Sequence, residues 1–286
     1  MSKPRENLRL SVVIPTHQRS ESLALALASL RLQDFPRDEF EVLVVSNLDD
    51  AQVKSQVEAL TKAGVSAMYL GVGRVGVNHA RNLGIEKASG EILFFLDDDC
   101  RLSRRDHLSI LSRRFERFPE VGIRGGFYSD TIDASSSART YNAIVNAWLR
   151  GRSPEKGPMV GGNFSVRSAL IGSARFDEAI TYGGSEVSFQ RELVARNVGV
   201  SLDFDLDVEH DCEVGALTLI KKAWKQGRRK HHDPDASLAK SLIALMSSDA
   251  GSAENLRRLV SGAVYGGISQ VSWQTGRLTS RFSTRL

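Results

Sequence analysis

The chain has 286 residues, room for one large domain or two small ones at roughly 100–200 residues each. Hydrophobic residues make up 41% and charged residues 25%, with 24 Gly, 7 Pro and 2 Cys, which excludes collagen-like, disordered and disulfide-stapled chains. Lys and Arg number 38 against 34 Asp and Glu, and the net +4 permits an anionic ligand without calling for nucleic acid.

In chain order, Leu10–Pro15 (LSVVIP) reads as a buried strand stopped by proline. Ser20 is positioned to cap a helix that carries Leu23, Leu27 and Leu30 at helical spacing. Phe40–Val45 (FEVLVV) is a second strand, ending at Ser46-Asn47, and Ala51–Ala63 is a helix stopped by Gly64. A weaker strand, Ser66–Leu70, enters a glycine loop; Val77–Lys87 is helical, and Glu91–Leu96 (EILFFL) is the strongest strand. This alternation predicts an α/β fold, a mostly parallel Rossmann-like sheet flanked by helices, with ligands at the carboxyl ends of its strands. In Asp203–Glu213 acidic and apolar residues alternate, which predicts a strand with His210 on its apolar face. From Leu217 onward the chain reads as helical and basic. The charge-free run Leu259–Gly276 holds four glycines and falls short of a spanning helix. Two cysteines, Cys100 and Cys212, and no apolar leader point to a reducing, cytoplasmic setting.

Asp97-Asp98-Asp99 follows its apolar strand without a spacer. Three adjacent, partly desolvated carboxylates repel one another unless a cation joins them. Such oxygens suit Mg²⁺ or Mn²⁺ shared with substrate phosphates. An extended backbone would aim Asp97 and Asp99 one way and Asp98 the other. Gly71, Gly73 and Gly76 spell G-x-G-x-x-G ahead of a helix, so an NAD-dependent oxidoreductase is the rival reading. Against it, the preceding strand is weak and third in order, and three acidic residues stand where a ribose needs one.

PTHQR (Pro15 to Arg19), VSNLDD (Val45 to Asp50) and GVNHARNLGIEKASGEILFFLDDD (Gly76 to Asp99) together resemble the family 2 glycosyltransferases of GT-A fold. GGNFSVRSALIGSARFDEAITYGGSEVSFQREL (Gly161 to Leu193) is similar to that family's acceptor segment, and the likeness spans about residues 10 to 230. The resemblance implies a donor-binding half at 8–125, an acceptor-binding half at 126–220 and a basic helical C-terminal region at 221–286. It implies inverting, non-processive transfer from a nucleotide-diphosphate sugar, with UDP favoured, to an unidentified hydroxyl acceptor, dependent on Mn²⁺ or Mg²⁺. Pro15, Thr16, Arg19, Asn47, Asp49, Arg81, Asp97 and Asp98 would line the donor. Asp99, with Asp97 and His210, would hold the metal. Gly161, Gly162, Asn163, Gly184 and Ser185 would meet the acceptor, and Glu186 would be the general base.

Two positions depart from the family pattern: Ser185-Glu186 stands where Glu-Asp is usual, and Ser46-Asn47 where an acidic residue follows the second strand. Glu186 also suits the first turn of a helix for purely electrostatic reasons. Gln226 to Lys230 resembles the Q-x-x-R-W of processive synthases without its tryptophan. That basic stretch reads either as a solvated helix face or as a surface that screens diphosphate or makes contact with an anionic acceptor or, peripherally, a membrane; it lacks the interleaved aromatics of a nucleic-acid binder.

Overall fold

The computed structural model describes residues 9–150, 159–180 and 185–211. Of these, 9–129, 159–180 and 185–210 form one compact unit, while 130–150 and Asp211 fall in a second.

Four parallel strands lead the larger unit: β1 (Leu10–Thr16), β2 (Phe40–Ser46), β3 (Ser66–Gly71) and β4 (Ile92–Leu96). Every residue of β1 and of β4 is buried, as expected of strands covered on both faces. The helices that cover them are α1 (Ser20–Arg31), α2 (Ala51–Lys62) and α3 (Val77–Lys87). Leu23, Ala26, Leu27 and Leu30 form the buried stripe of α1, the three-and-four spacing of an amphipathic helix. Ser20 is the first residue of that helix; the cap is Arg19, without a side-chain cap bond, so the predicted serine cap does not form. Asp50 caps α2 instead, its carboxylate accepting from the Gln52 and Val53 amides. Gly84 lets α3 lie against β1, where a Cβ would come within 2.3 Å of Val13 Cγ1.

After β4 come β5 (Cys100–Arg101), α4 (His107–Arg117), β6 (Val121–Gly125) and β7 (Tyr128–Ser129). Then follow α5 (Ser136–Arg150), β8 (Asn163–Arg167), α6 (Ser168–Ile171), α7 (Ser185–Val194), β9 (Gly199–Leu202) and β10 (Val208–His210). The main sheet has the order β3-β2-β1-β4-β8-β6-β9, with β8 antiparallel to both neighbours; a small sheet has the order β5-β10-β7. The predicted strand at 203–213 is therefore short. Its first half is a turn closed by Leu206 N–H on the Asp203 carbonyl, and Phe204 is 70% exposed. The basic region from Leu217 onward lies outside the described residues. Within the second unit, Ser135 Oγ accepts from the Ala138 amide at the start of α5.

Four phenylalanines knit the core. Phe95 stacks on Phe164 at 4.7 Å, Phe176 stacks on Phe189 at 4.3 Å, and Phe95 meets Phe176 edge-on at 5.4 Å. Burying each contributes on the order of 2 kcal/mol. Three of the rings lie within three residues of a candidate site position (Asp97, Asn163 or Glu186), and the backbone of Phe176 is bonded to Asn82 of α3. The core thus fixes the spacing of side chains from four separate segments.

His107, at the head of α4, is 1% exposed and stacks on Phe94 at 5.5 Å. Burial, assisted by Arg104, lowers its pKa from 6.5 to about 4. The unfolded chain takes up this proton below pH 6.5 while the native one refuses it down to about 4. Its contribution to stability is thus intact above pH 6.5 and declines through that window, by about 3 kcal/mol at 1.36 kcal/mol per unit. Urea unfolding at pH 7 and pH 4.5 should show this loss in the wild type and a smaller one in His107→Leu.

Candidate active site

Strands β1, β2 and β4 end at one edge of the sheet, delivering Thr16, Ser46-Asn47 and Asp97 to the same corner. Beyond β4 the chain does not stay extended. Cys100 N–H donates to the Asp97 carbonyl at 3.0 Å, closing a turn, so the predicted alternation of the three aspartates does not hold. Asp98 and Asp99 both reach Arg19, at 3.3 and 2.6 Å, while Asp97 accepts from Arg81 at 2.8 Å.

Asp98 is 5% exposed and accepts from the Thr16 hydroxyl at 2.8 Å. Burial first, then the neighbouring Asp99 charge, pushes its pKa up to about 7, despite Arg19 and the Thr16 bond. Retaining a proton that the unfolded chain gives up near pH 3.8 means that ionisation of Asp98 opposes folding as pH rises to 7. Asp98→Asn should therefore stabilise the protein by about 1–3 kcal/mol at pH 8 and by little at pH 4. Thermal melts at the two pH values check this.

Arg81 is 3% exposed; besides Asp97 it donates to the Gly161 carbonyl at 3.2 Å and lies over the Phe176 ring at 5.4 Å. Burial works against its charge, and the carboxylates of Asp97 and Glu186 outweigh that, holding the guanidinium above its ordinary value. Glu186, in the first turn of α7, is thus tied electrostatically to the residue that orients Asp97. Gly161 and Gly162 are needed for their smallness. A Cβ on Gly161 would stand 2.9 Å from Arg81 Nη2, and one on Gly162 2.9 Å from Asp97.

His210 is 5% exposed, with Nε2 3.7 Å from Asp99 Oδ1 and its ring stacked on Tyr128 at 4.1 Å. Ligand atoms of Asp99, Cys100 and His210 all lie within 4.8 Å of one another. The structure thus brings together Thr16, Arg19, Arg81, Asp97, Asp98, Asp99, Gly161, Gly162, Glu186 and His210. Others serve nearby. Pro15 lies within β1. Asn47 is buried; with its side-chain amide turned so that the nitrogen faces the Gly76 and Arg74 carbonyls, at 3.0 and 2.9 Å, it tethers the glycine loop. Asp49 sits on the surface paired with Lys54. Asn163 donates to the Phe127 and Leu206 carbonyls at 3.1 and 2.8 Å. Ser185 is buried beside Glu186, and Gly184 lies outside the described residues.

Sequence reasoning missed two arrangements. Asn82, from the A-R-N run, exchanges bonds with Phe176, its Oδ1 accepting at 2.9 Å and its Nδ2 donating at 3.0 Å. It thereby clamps the F-D-E turn onto α3. Tyr128 under His210 carried no signal beyond the glycines before it.

Residues 11–177, more than half of the chain, match the family described as Glycosyl transferase family 2. Glycosyltransferase AglE of Haloferax volcanii is 27% identical over 203 residues, 70% of this chain and 65% of that protein. The GalNAc(5)-diNAcBac-PP-undecaprenol beta-1,3-glucosyltransferase of Campylobacter jejuni is 35% identical over 115 residues, 40% of this chain and 37% of that protein. The chain spans less than two thirds of the length of these curated relatives. Among solved structures, mannosyltransferase PcManGT from Pyrobaculum calidifontis, in complex with GDP-Man and Mn²⁺, superposes with a TM-score of 0.65 at 17% identity, covering 98% of this chain and 89% of that one. TarS 1-349 of S. aureus in complex with UDP gives 0.54 at 16% identity, covering 90% and 71%. At these identities the likeness establishes the fold, which is GT-A.

Proposed function

The chain belongs to glycosyl transferase family 2, and from that premise we propose that it transfers a sugar from a nucleotide-diphosphate donor to a hydroxyl acceptor. The reading is of an inverting, non-processive, cation-dependent enzyme, with a UDP-sugar as the favoured donor. One observation carries it: Asp98 and Asp99 converge with Thr16, Arg19 and His210, and Asp97 pairs with Arg81, at the carboxyl ends of the parallel strands.

The residues present fit a divalent cation. Burial, and then the Asp99 charge beside it, make Asp98 resist ionisation, a crowding of carboxylates that a cation would relieve. A carboxylate and an imidazole, Asp99 and His210, would hold Mn²⁺ or Mg²⁺, with Asp97 held nearby by Arg81. When bound, the ion would neutralise charge growing on the departing diphosphate. Thr16, Arg19 and Asp98 line the nucleotide side. Glu186 accepts the proton of the attacking hydroxyl, which approaches the anomeric carbon opposite the leaving group and so inverts it. Gly161 and Gly162, whose smallness lets Arg81 and Asp97 lie against their backbone, border the acceptor side.

The solved neighbours are complexes with GDP-Man and Mn²⁺ in one case and UDP in the other, which supports a nucleotide-sugar donor. The Campylobacter jejuni relative is named for a sugar linked through PP to undecaprenol, which supports a lipid-linked acceptor; peripheral membrane contact through the basic region at 221–286 would suit such an acceptor. No described helix is long and apolar enough to cross a membrane. The oxidoreductase alternative gains no support: Gly71 closes β3, a sheet-edge strand, and the family match includes the whole glycine loop.

A panel of nucleotide sugars incubated with Mn²⁺ or Mg²⁺ tests this reading. Slow, cation-dependent release of a nucleoside diphosphate from one donor is expected. Stabilisation by NADH, with no nucleotide sugar bound or hydrolysed, would overturn it.

A further inference from the structure

The corner contains a donor atom that a site for hard cations does not need. Cys100 opens β5, is 1% exposed and stands directly across the antiparallel ladder from His210. Opposed residues of such a ladder project from the same face, with Cβ atoms about 4.5–5.5 Å apart. The side chains agree with the backbone register. Cys100 Sγ is 3.9 Å from Asp99 Oδ1, His210 Nε2 is 3.7 Å from that same oxygen, and the three ligand atoms lie within 4.8 Å of one another. Two strands and the turn ahead of β5 thus place a sulfur, an imidazole nitrogen and a carboxylate oxygen within the span of a single ion.

We propose that Cys100, Asp99 and His210 form a thiolate–imidazole–carboxylate site that takes Zn²⁺ in preference to Mn²⁺ or Mg²⁺, so that Zn²⁺ competes for the corner where the donor's cation would sit. Thiolate, imidazole and carboxylate are the ligands of tetrahedral zinc. Mg²⁺ selects oxygen, and Mn²⁺ stands at the weak end of the divalent series. Binding exchanges the Cys100 S–H for an S–Zn bond and releases one proton to solvent. His210 is already braced for the task by its stack on Tyr128, and Asp99 by Arg19. The competition, though not the zinc site itself, rests on the glycosyltransferase reading above.

The test uses the full chain with Cys212→Ser, in which Cys100 is the sole thiol. Titration with Co²⁺ or Cd²⁺ should produce a thiolate-to-metal charge-transfer band saturating at one ion per chain, and Zn²⁺ should abolish the Co²⁺ band. Adding Cys100→Ser should remove the band and weaken Zn²⁺ binding by roughly tenfold or more, while leaving Mn²⁺ binding nearly unchanged. No band in the Cys212→Ser protein, or equal Zn²⁺ affinity with and without Cys100, overturns the proposal. Because the band is read before Cys100 is altered, poor folding of the double variant does not spoil the test. The shift in melting temperature caused by UDP with Mn²⁺ is measured on the same samples. If that shift persists without a thiolate band, the zinc site alone fails; if the band persists without the shift, the donor reading fails alone.

Discussion

Glu186→Gln keeps its affinity for the donor and loses transfer by about 10²–10⁴-fold, the usual contribution of a positioned general base. The substitution preserves the shape of the side chain in the first turn of α7 and removes its negative charge, and with it the ability to take a proton. Phe189, one turn along the same helix, is locked into the aromatic core against Phe176 and Phe164, so the backbone under residue 186 stays in place. Glu186 also sits in the field of Arg81, whose partner at 2.8 Å is Asp97, a contact that the substitution does not touch. Donor affinity by calorimetry and transfer rate by product analysis separate the two effects. Transfer at the wild-type rate would move the base elsewhere, and loss of donor binding would make Glu186 a structural residue.

The second large effect is at Asp99. Asp99→Ala should remove Mn²⁺-dependent nucleotide binding, by roughly 100-fold or more, without unfolding the protein. Ordinarily, cutting one member out of a buried charge cluster destabilises it. Here the Asp99 charge is one of the causes that push Asp98 up to about 7, so removing it relieves repulsion in the corner. Arg19 keeps Asp98 as a partner, and its own side chain is 54% exposed, so little is stranded. Melting without ligand should be unchanged or slightly higher, while the stabilisation by UDP with Mn²⁺ disappears. Glu192→Ala is the control: that carboxylate, on α7, is paired with the exposed Arg196, and both readings should stay near wild-type values.

The frame of the fold was legible because its strands are apolar runs buried on both faces, and nothing but a covered parallel sheet accommodates LSVVIP, FEVLVV and ILFFL one after another. Local rules failed where a longer-range partner overrode them. The alternation of Asp203–Glu213 imitates a strand, yet the Asp203 amide is drawn to the Gly125 carbonyl and the chain turns, leaving Phe204 on the surface against Phe127. The triple aspartate reads as extended, yet the turn closed by Cys100 sends Asp98 and Asp99 together toward Arg19. Composition and spacing point to acidic residues at a strand end, and the resemblance assigns them a role. Neither reveals that Cys100 pairs across a ladder with His210, because that register depends on how β10 returns to β5. The same holds for Asn82, whose hold on Phe176 becomes visible only when the F-D-E turn is seated on α3.

The proposed chemistry turns on a cation and a nucleotide bound together at the ends of β1, β2 and β4. Crystals grown with Mn²⁺ and UDP, with data collected at the manganese edge, locate both. One anomalous peak is expected in contact with Asp99 and with the diphosphate oxygens, and the nucleoside lying along the ends of β1 and β2 toward Thr16 and Arg19. Manganese bound away from Asp99, or UDP ordered at a different face of the sheet, would contradict it.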